Sequence, residues 1–335
     1  MTSLAQRIGL LLMVLTFAVY TGMGQGAPTT QTTQPVVAKL VQVKHQQMLY
    51  PMVRVKAPKG TGSGTILYSE DRAEKGTFRT FVLTNHHVVE SAIAIARQWN
   101  NLRQEYENVE VCEHVLVEVF RYTDAGVEDG RVQYDAVVQA YEQDEDLALL
   151  ELQTQNKLPY VAQILPTTAV RPSLFETVYA VGCSLAHAPV HSNGQLTSLN
   201  DIMERKQYWM VSSPIVFGNS GGAVFLERPE GYFWIGVPSR VAATGSQIIP
   251  HMAYIIPLTR VTNWLNSQKL SFLLNPSKTP EQCFIDRQQY REARRAAAQS
   301  PSPQGFAGPL PDCPSTQPST QPATRIETVK PEVTN

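Results

Sequence analysis

The sequence predicts an all-β protein, a β-sandwich or β-barrel built from many short strands. From about residue 36 to residue 270, short apolar runs recur between Gly, Pro, Asn and Asp residues, and several alternate apolar with polar side chains, as in residues 116–120 (LVEVF). This pattern is typical of half-buried strands joined by turns. A regular strand–helix–strand rhythm is missing from the sequence, which argues against a doubly wound α/β sheet.

Three segments predict helices, at residues 90–107, 257–265 and 280–299. The first contains few breakers, the second spaces its apolar residues at helical intervals, and the third follows Thr279, a suitable N-cap. Apolar residues become rare along the third segment, so residues 271–300 are expected to form a solvent-exposed helix.

The N-terminal residues have the features of a secretory signal. Arg7 precedes the apolar stretch 8–20, and small residues follow it. A charged start, a short apolar core and a small-residue zone define such signals, and this core is shorter than the roughly 20 residues of a membrane span. We therefore expect residues 1–26 to be a signal peptide, with no stable membrane span after its cleavage and a secreted, periplasmic or cell-envelope location. An uncleaved signal anchor is the alternative.

Both ends of the predicted strand-rich region are flanked by low-complexity sequence. Residues 27–35 are rich in Pro, Thr and Gln, which predicts a linker. Residues 301–335 contain eight prolines and a repeated STQP-like unit. Such a segment buries too little apolar surface to offset its ordering entropy, so it is predicted to be a disordered tail.

Charge and cysteine content restrict the function classes only weakly. The net charge is −1 and charged residues make up 17% of the chain, so no nucleic-acid partner is expected. The sequence contains no C-x-x-C pair, so it has no zinc-ribbon or thioredoxin-like redox motif. In an exported chain the four cysteines allow three disulfide pairings, and buried free thiols are the alternative. These cysteines are Cys112, Cys183, Cys283 and Cys313.

A serine between glycines is the strongest local signal for chemistry. Residues 218–222 read GNSGG, with Ser220 at the centre. Glycines allow a tight turn that exposes Oγ, and they let a substrate backbone approach closely. The same turn can direct backbone N–H groups at a substrate carbonyl.

Two further blocks upstream supply a base and an acid. Residues 83–89 (LTNHHVV) end an apolar strand at a histidine pair, and a neutral imidazole can take a proton from a serine hydroxyl. Residues 144–150 (DEDLALL) place Asp146 immediately before a continuous apolar run, where a buried carboxylate needs a partner such as a histidine N–H. A structural histidine and a solvated acidic turn are the alternatives for each block taken alone.

Together the three blocks resemble those of trypsin-like serine peptidases and are most similar to the bacterial Deg (high-temperature-requirement) branch. They occur in the chain order His, Asp, Ser of chymotrypsin-type enzymes. Residues 62–67 (GSGTIL) and 181–184 (VGCS) resemble further strands and turns of that branch, so the similarity extends over about residues 50 to 270. The resemblance implies two six-stranded antiparallel β-barrels of the chymotrypsin-like type, forming a peptidase domain over residues 36–270.

The resemblance also assigns roles to residues. His87, the second histidine of the pair, would be the general base, Asp146 would orient it, and Ser220 would be the nucleophile. The backbone N–H groups of Gly218 and Ser220 would form the oxyanion hole. Protein or peptide substrates are implied, with no cofactor and no metal.

Substrate contacts follow from the same resemblance. Pro214 would lie at the base of the specificity pocket, and Gly236 and Val237 would form the strand that pairs with substrate. No acidic residue occurs near Pro214 to receive Arg or Lys, so a small or aliphatic residue is expected at the cleaved position.

The chain also departs from the family pattern. Asn219 stands where zymogen-activated trypsins have an Asp, so an activating ion pair with a freed N-terminus is not expected. The sequence after residue 270 is too short and too polar for the PDZ module that many Deg-type relatives carry.

Two other functions fit parts of the sequence. A catalytically impaired protease fold would serve as a binding or scaffold protein, although all three triad positions are filled. An α/β-hydrolase esterase would use Gly218-x-Ser220-x-Gly222 as a nucleophile elbow. That fold needs an acid and then a histidine after the serine, and here His251 precedes the later aspartates. The order argues against the esterase.

Overall fold

The first half of the chain closes into a β-barrel. The computed structural model describes residues 34–71, 78–101, 104–275, 277–299 and 327–329. The strands of this half are β1 (Met52–Ala57), β2 (Gly60–Asp71), β3 (Phe78–Thr84), β4 (Ile93–Asn100), β5 (Glu105–Cys112), β6 (Val115–Tyr122), β7 (Glu128–Glu142) and β8 (Leu147–Leu152). Six of them form an antiparallel ring in the order β1-β2-β3-β8-β7-β6, and β1 pairs with β6 to close it.

The continuous apolar run of β8 results from burial on both faces. Side chains alternate between the two faces of a strand. Ala148 and Leu150 therefore point into the barrel, while Leu147 and Leu149 belong to a second cluster that packs outside it. The apolar neighbours keep water away from the residue that precedes β8, which is Asp146.

The second half forms another ring of six antiparallel strands. Its strands are β9 (Thr177–Gly182), β10 (Val190–Met203), β11 (Lys206–Val211), β12 (Ala223–Arg228), β13 (Gly231–Thr244) and β14 (Gln247–Pro257). The order is β12-β9-β10-β11-β14-β13, and pairing of β12 with β13 closes the ring. The predicted all-β fold of two six-stranded antiparallel barrels is confirmed.

A short strand from the C-terminal region joins the second sheet. This strand, β15 (Glu327–Val329), pairs with β13. It lies within the segment 301–335 that the sequence predicts to be disordered. The other residues of that segment, like the predicted signal peptide 1–26, lie outside the described residues.

In the described part of the chain, four α-helices accompany the barrels, namely α1 (Gln34–Lys44), α2 (His86–Val89), α3 (Leu258–Ser267) and α4 (Pro280–Gln299). The structure confirms the helices predicted over 257–265 and 280–299, and Oγ1 of Thr279 accepts a hydrogen bond from the backbone N–H of Gln282. The first turns of α4 are less exposed than the sequence predicts, because Cys283 and Arg287 are buried. The start of α1 overlaps the end of the predicted linker 27–35.

The helix predicted over residues 90–107 is wrong. After a short 3-10 turn, this region forms the antiparallel hairpin β4–β5, paired from Ile93 with Cys112 to Asn100 with Glu105. Apolar and polar residues largely alternate along the second arm (EYENVEVC), and the pair Asn100-Asn101 suits a turn. The scarcity of breakers was therefore a weaker signal than the period-two pattern.

Buried residues form one core in each barrel and a third between the barrels and the helices. The third includes Trp234 and Val237 of β13, Trp264 of α3 and Phe272 after it. The thiols of Cys183 and Cys283 are buried and form no disulfide. Of the two alternatives, disulfides or buried free thiols, these two cysteines therefore follow the second. Within the described residues, no helix is long and apolar enough to cross a membrane.

Candidate active site

A buried histidine–aspartate pair connects the end of β3 to the start of β8. The Nδ1 atom of His87 lies 2.9 Å from Oδ1 and 3.0 Å from Oδ2 of Asp146. The backbone N–H of His87 also donates to Oδ1, at 3.2 Å. Both residues are buried, so the carboxylate fixes the orientation of the imidazole in a site with little water.

Further hydrogen bonds hold Asp146 in a conformation that few residues adopt. Its φ angle is +54°, in the left-handed region that Asp and Asn tolerate better than other non-glycine residues. The Asn85 amide donates to the Asp146 backbone carbonyl at 2.8 Å. The hydroxyl of Ser239 donates to Oδ2 at 2.7 Å. The bonds from Ser239 and His87 to the carboxylate compensate the cost of burying it.

The second nitrogen of His87 is available for proton transfer. When Nδ1 donates to Asp146, neutral imidazole carries its lone pair on Nε2. Nε2 is buried and makes no hydrogen bond within the described part of the chain. The hydrogen bond between Nε2 and Ser220 is therefore not formed in this structure, and such bonds are often long until substrate binds.

Ser220 lies in a turn that packs directly on the first barrel. The backbone N–H of Ser63, on β2, donates to the Ser220 carbonyl at 2.8 Å. Gly221 has a φ of +80°, and a Cβ there would lie 2.2 Å from the Ser63 carbonyl oxygen and 2.3 Å from Thr84 Oγ1. Only glycine fits this contact, which brings the serine turn next to the strand that leads to His87.

Glycines on β2 serve the same close approach. A Cβ on Gly62 would lie 2.6 Å from Val88 Cγ2 and 3.1 Å from the Ser220 carbonyl oxygen. The absence of a side chain at Gly62 thus lets both Val88 and the serine turn pack closely against β2.

The peptide unit before Gly218 is held in one orientation. The backbone N–H of Leu185 donates to the Phe217 carbonyl at 2.7 Å. The carbonyl and the N–H of one planar trans peptide unit point in opposite directions. The N–H of Gly218 therefore points away from Leu185. Gly218 itself has a φ of +90°, and its carbonyl accepts a 2.6 Å bond from the hydroxyl of Ser63.

Asn219 ties the same turn to the loop after β9. Its Oδ1 accepts hydrogen bonds from the Ser184 hydroxyl at 2.8 Å and from the Val216 backbone N–H at 3.2 Å. The side chain is buried. A neutral amide thus orders the serine turn at the position where an ion pair would do so in a zymogen-activated enzyme.

The first histidine of the sequence pair has a packing role. His86 is buried and stacks on Tyr141, with ring centroids 5.3 Å apart and planes 27° apart. This contact places its ring against β7.

Residues 62–233, half of the chain, match the family model of the trypsin-like peptidase domain. The chain belongs to this family. Its members are serine-type endopeptidases, and the two barrels agree with their fold. No curated protein matches the chain.

Solved structures similar to this trypsin-like peptidase are HtrA- and Deg-type proteases. An HtrA-type protease, AlgW, with a tripeptide has 14% identity and a TM-score of 0.49, and the match covers 70% of this chain and 63% of that one. The MamO protease domain from Magnetospirillum magneticum, in its apo form, has 19% identity and a TM-score of 0.44, over 66% and 98% of the two chains. Deg5 has 16% identity and a TM-score of 0.45, over 70% and 94%. The chain spans less than two thirds of the AlgW chain.

In this trypsin-like peptidase, the three residues predicted to contact substrate lie in surroundings that differ from those the sequence predicts. Pro214 is exposed, and its carbonyl accepts a bond from the Ser192 hydroxyl at 2.6 Å. Gly236 is paired on both edges, with Val224 of β12 and Pro257 of β14, so its backbone has no edge left for a substrate. Val237 is fully buried in the core. The open edge of β13 lies further along the strand.

Ser239, Asn85 and Leu185 are site residues that the sequence analysis missed. Ser239 follows Gly236 by three residues, and a serine in a largely apolar strand was the signal available. Asn85 directly precedes the histidine pair. Leu185 gave no signal, because its contribution is a backbone N–H.

The described residues contain no group of three or more His, Cys, Asp or Glu side chains arranged to hold a metal ion. The chemistry that this arrangement supports is acid–base and nucleophilic.

Proposed function

We propose that the protein is a serine endopeptidase that hydrolyses peptide bonds through an acyl-enzyme. The observation that carries the proposal is the buried His87–Asp146 pair, with the ring oriented through Nδ1 and Nε2 left available. Ser220, in its glycine-flanked turn against β2, is the nucleophile.

In the first half of the reaction, Ser220 Oγ attacks the carbonyl carbon of the scissile bond while His87 Nε2 takes the hydroxyl proton. Asp146 stabilises the imidazolium that forms. The tetrahedral intermediate collapses when His87 returns the proton to the leaving amine, which breaks the C–N bond and leaves an ester on Ser220. Water then attacks this ester by the same route and releases the acid product.

The backbone N–H groups of Gly218 and Ser220 stabilise the oxyanion in this proposal. The Leu185 N–H bond to the Phe217 carbonyl supports it, since this bond turns the Gly218 N–H away from Leu185. Removal of one such donor typically costs about 10²–10³-fold in kcat.

We propose a small or aliphatic residue at the cleaved position. The residues that precede the nucleophile turn, from Pro214 to Phe217, are all uncharged. Arg240 is the cation on strand β13, and its terminal nitrogens Nη1 and Nη2 already donate to the Glu204 carboxylate, at 3.0 and 2.6 Å.

We also propose that the enzyme is exported and acts on protein or peptide substrates outside the cytoplasm. The charged start and short apolar core of residues 1–26 support this location.

Covalent labelling with a fluorophosphonate tests the nucleophile. Wild-type protein should be labelled, and the variants Ser220→Ala and His87→Ala should not. Two matched controls separate the site from its neighbours. His86→Phe preserves a ring on Tyr141 and should be labelled like wild type, and so should Ser198→Ala, which changes a half-buried serine on β10.

A catalytically impaired binding or scaffold protein is the second candidate. The missing hydrogen bond between His87 Nε2 and Ser220 favours it. If folded wild-type protein is not labelled, and peptide substrates do not restore labelling, this second function replaces the first.

A further inference from the structure

Strand β13 carries two partners in sequence along one of its edges. Its other edge pairs with β14 from Gly236 to Thr244. On the first edge, β12 pairs with residues 231–236, and β15 pairs with residues 241–243. Between these two partners lies a short interval, residues 237–240.

This interval adjoins the candidate catalytic centre. The Gly221 N–H, directly after the nucleophile, donates to the Pro238 carbonyl at 3.3 Å. The next residue, Ser239, donates its hydroxyl to Asp146. The edge of β13 that β15 occupies thus begins just after the residues of β13 that contact the catalytic centre.

From its N-terminal to its C-terminal end, β15 runs toward the part of β13 that lies next to the nucleophile. It runs antiparallel to β13, with Glu327 opposite Ala243 and Val329 opposite Val241. In this register, a peptide that extends two residues beyond the one opposite Val241 would reach Ser239. A chain in this position lies as a strand added to an open sheet edge.

The composition of this part of the chain suits a strand, in contrast to its surroundings. Residues 323–330 (ATRIETVK) form the longest stretch without proline in the segment 301–335, and they contain three β-branched types. Proline lacks the N–H that a paired strand donates, so most of the segment cannot pair in this way. The pairing therefore coincides with the stretch that is chemically able to make it.

We propose that the C-terminal segment around Glu327–Val329 is an intramolecular ligand that competes with peptide substrates for the edge of β13 at Val241–Ala243. The regulatory part rests on the proposed peptidase function, since it requires substrates that pair with the same edge. Residues 300–326 tether the segment, and a tether of such length gives an effective concentration on the order of millimolar. A substrate must therefore displace the segment before it can extend to Ser220.

Proline substitutions at consecutive positions of β15 test the pairing. Successive N–H groups of a strand point to opposite edges, so only one of Thr328→Pro and Val329→Pro removes a donor to β13. The neighbouring variant is the matched control, with the same residue introduced one position away. Both are made in the full chain with Ser220→Ala, which prevents self-cleavage.

Two readouts in this background do not depend on catalysis. One is hydrogen–deuterium exchange of the amides over Val241–Ala243, and the other is the anisotropy of a fluorescein-labelled peptide with the sequence of residues 323–335. One proline variant should exchange at least about tenfold faster and bind the added peptide more tightly, while its neighbour behaves like the parent. If both variants match the parent in exchange, β15 does not pair in solution and the proposal is overturned.

Turnover in chains that retain Ser220 then tests competition. The releasing proline should lower KM for a peptide substrate, by about tenfold if the segment occupies the edge nine-tenths of the time, and leave kcat unchanged. An unchanged KM in an active enzyme overturns the competition. If no chain shows turnover, the peptidase function fails, and the exchange and anisotropy results still decide whether the segment binds this edge.

Discussion

Ser239, on β13 of the second barrel, donates a 2.7 Å hydrogen bond from Oγ to Oδ2 of Asp146, which precedes β8 of the first barrel. The two residues are 93 positions apart in the chain. The orientation of the acid, and through it that of His87, therefore depends on the packing of one barrel against the other.

Removal of the Ser239 hydroxyl should reduce turnover more than stability. Ser239→Ala takes away a bond to a charged group, worth about 1.5–3 kcal/mol, so kcat/KM should fall about tenfold to a hundredfold. Steady-state kinetics and urea unfolding measure the two effects. Ser69→Ala is the matched control, since it removes another buried hydroxyl, bonded to Thr80 at 2.8 Å, remote from the site. Equal losses of kcat/KM in both variants would contradict the orienting role.

Catalysis should require the negative charge of Asp146. The Asp146→Asn variant should lack this charge but keep the backbone conformation. Asp146→Asn keeps a side chain that tolerates a positive φ, so the variant should fold and lose about 10⁴-fold in kcat. Asp146→Ala should in addition lose about 1–2 kcal/mol of unfolding free energy, because alanine is strained in this region. Kinetics and thermal unfolding of both variants check this. An Asn variant with near-normal kcat would exclude Asp146 as the orienting acid.

Asn219 should control the order of the oxyanion turn. Asn219→Ala removes the acceptor of Ser184 and Val216, and fluorophosphonate labelling should slow about tenfold or more. Asn219→Asp keeps the acceptor oxygen but buries a charge, so it should be less stable at pH 7 than at pH 4. A double-mutant cycle with Ser184→Ala measures the coupling. Additive effects in the cycle would mean that this hydrogen bond does not order the turn.

Stability should depend on pH through Glu118. Burial alone would raise the pKa of its carboxyl, but hydrogen bonds from Lys56 and Arg54 hold that pKa below its usual range. A lowered folded-state pKa stabilises the protein above the unfolded-state pKa, and the contribution is lost as the pH falls through the folded-state value. Glu118→Gln should thus cost about 1–3 kcal/mol at pH 7 and progressively less below about pH 4.

Urea unfolding at several pH values measures this dependence. Glu70→Gln is the control, because its ion pair with Lys157 is exposed and should contribute little. A constant difference between wild type and Glu118→Gln at all pH values would show that the ion pairs of Glu118 do not stabilise the fold.

The thiol of Cys183 should be inert in the native protein. Burial raises its pKa to about 12, so at pH 8 only about one thiol in ten thousand is ionised. Iodoacetamide followed by mass spectrometry should modify Cys183 only after unfolding, because its side chain is fully buried. Rapid native modification of Cys183 would contradict the packing of the loop after β9.

Local patterns predicted the elements whose signals lie within a few residues. The alternation along β6, the continuous run of β8 and the Thr279 cap all describe how a segment meets its immediate neighbours. The hairpin β4–β5 was missed because the absence of helix breakers was given more weight than the alternation of side chains along β5.

The sequence by itself determined the fold class and the three blocks that contain His87, Asp146 and Ser220, because residue type, spacing and chain order carry that information. Only the tertiary structure decided that Ser239 bonds to Asp146, that the Leu185 N–H holds the Phe217 carbonyl, and that β15 pairs with β13. These contacts join backbone groups and small polar side chains that are distant in the chain. Every residue carries such backbone groups, so a partner is selected only when the two barrels pack and bring one particular pair within hydrogen-bonding distance.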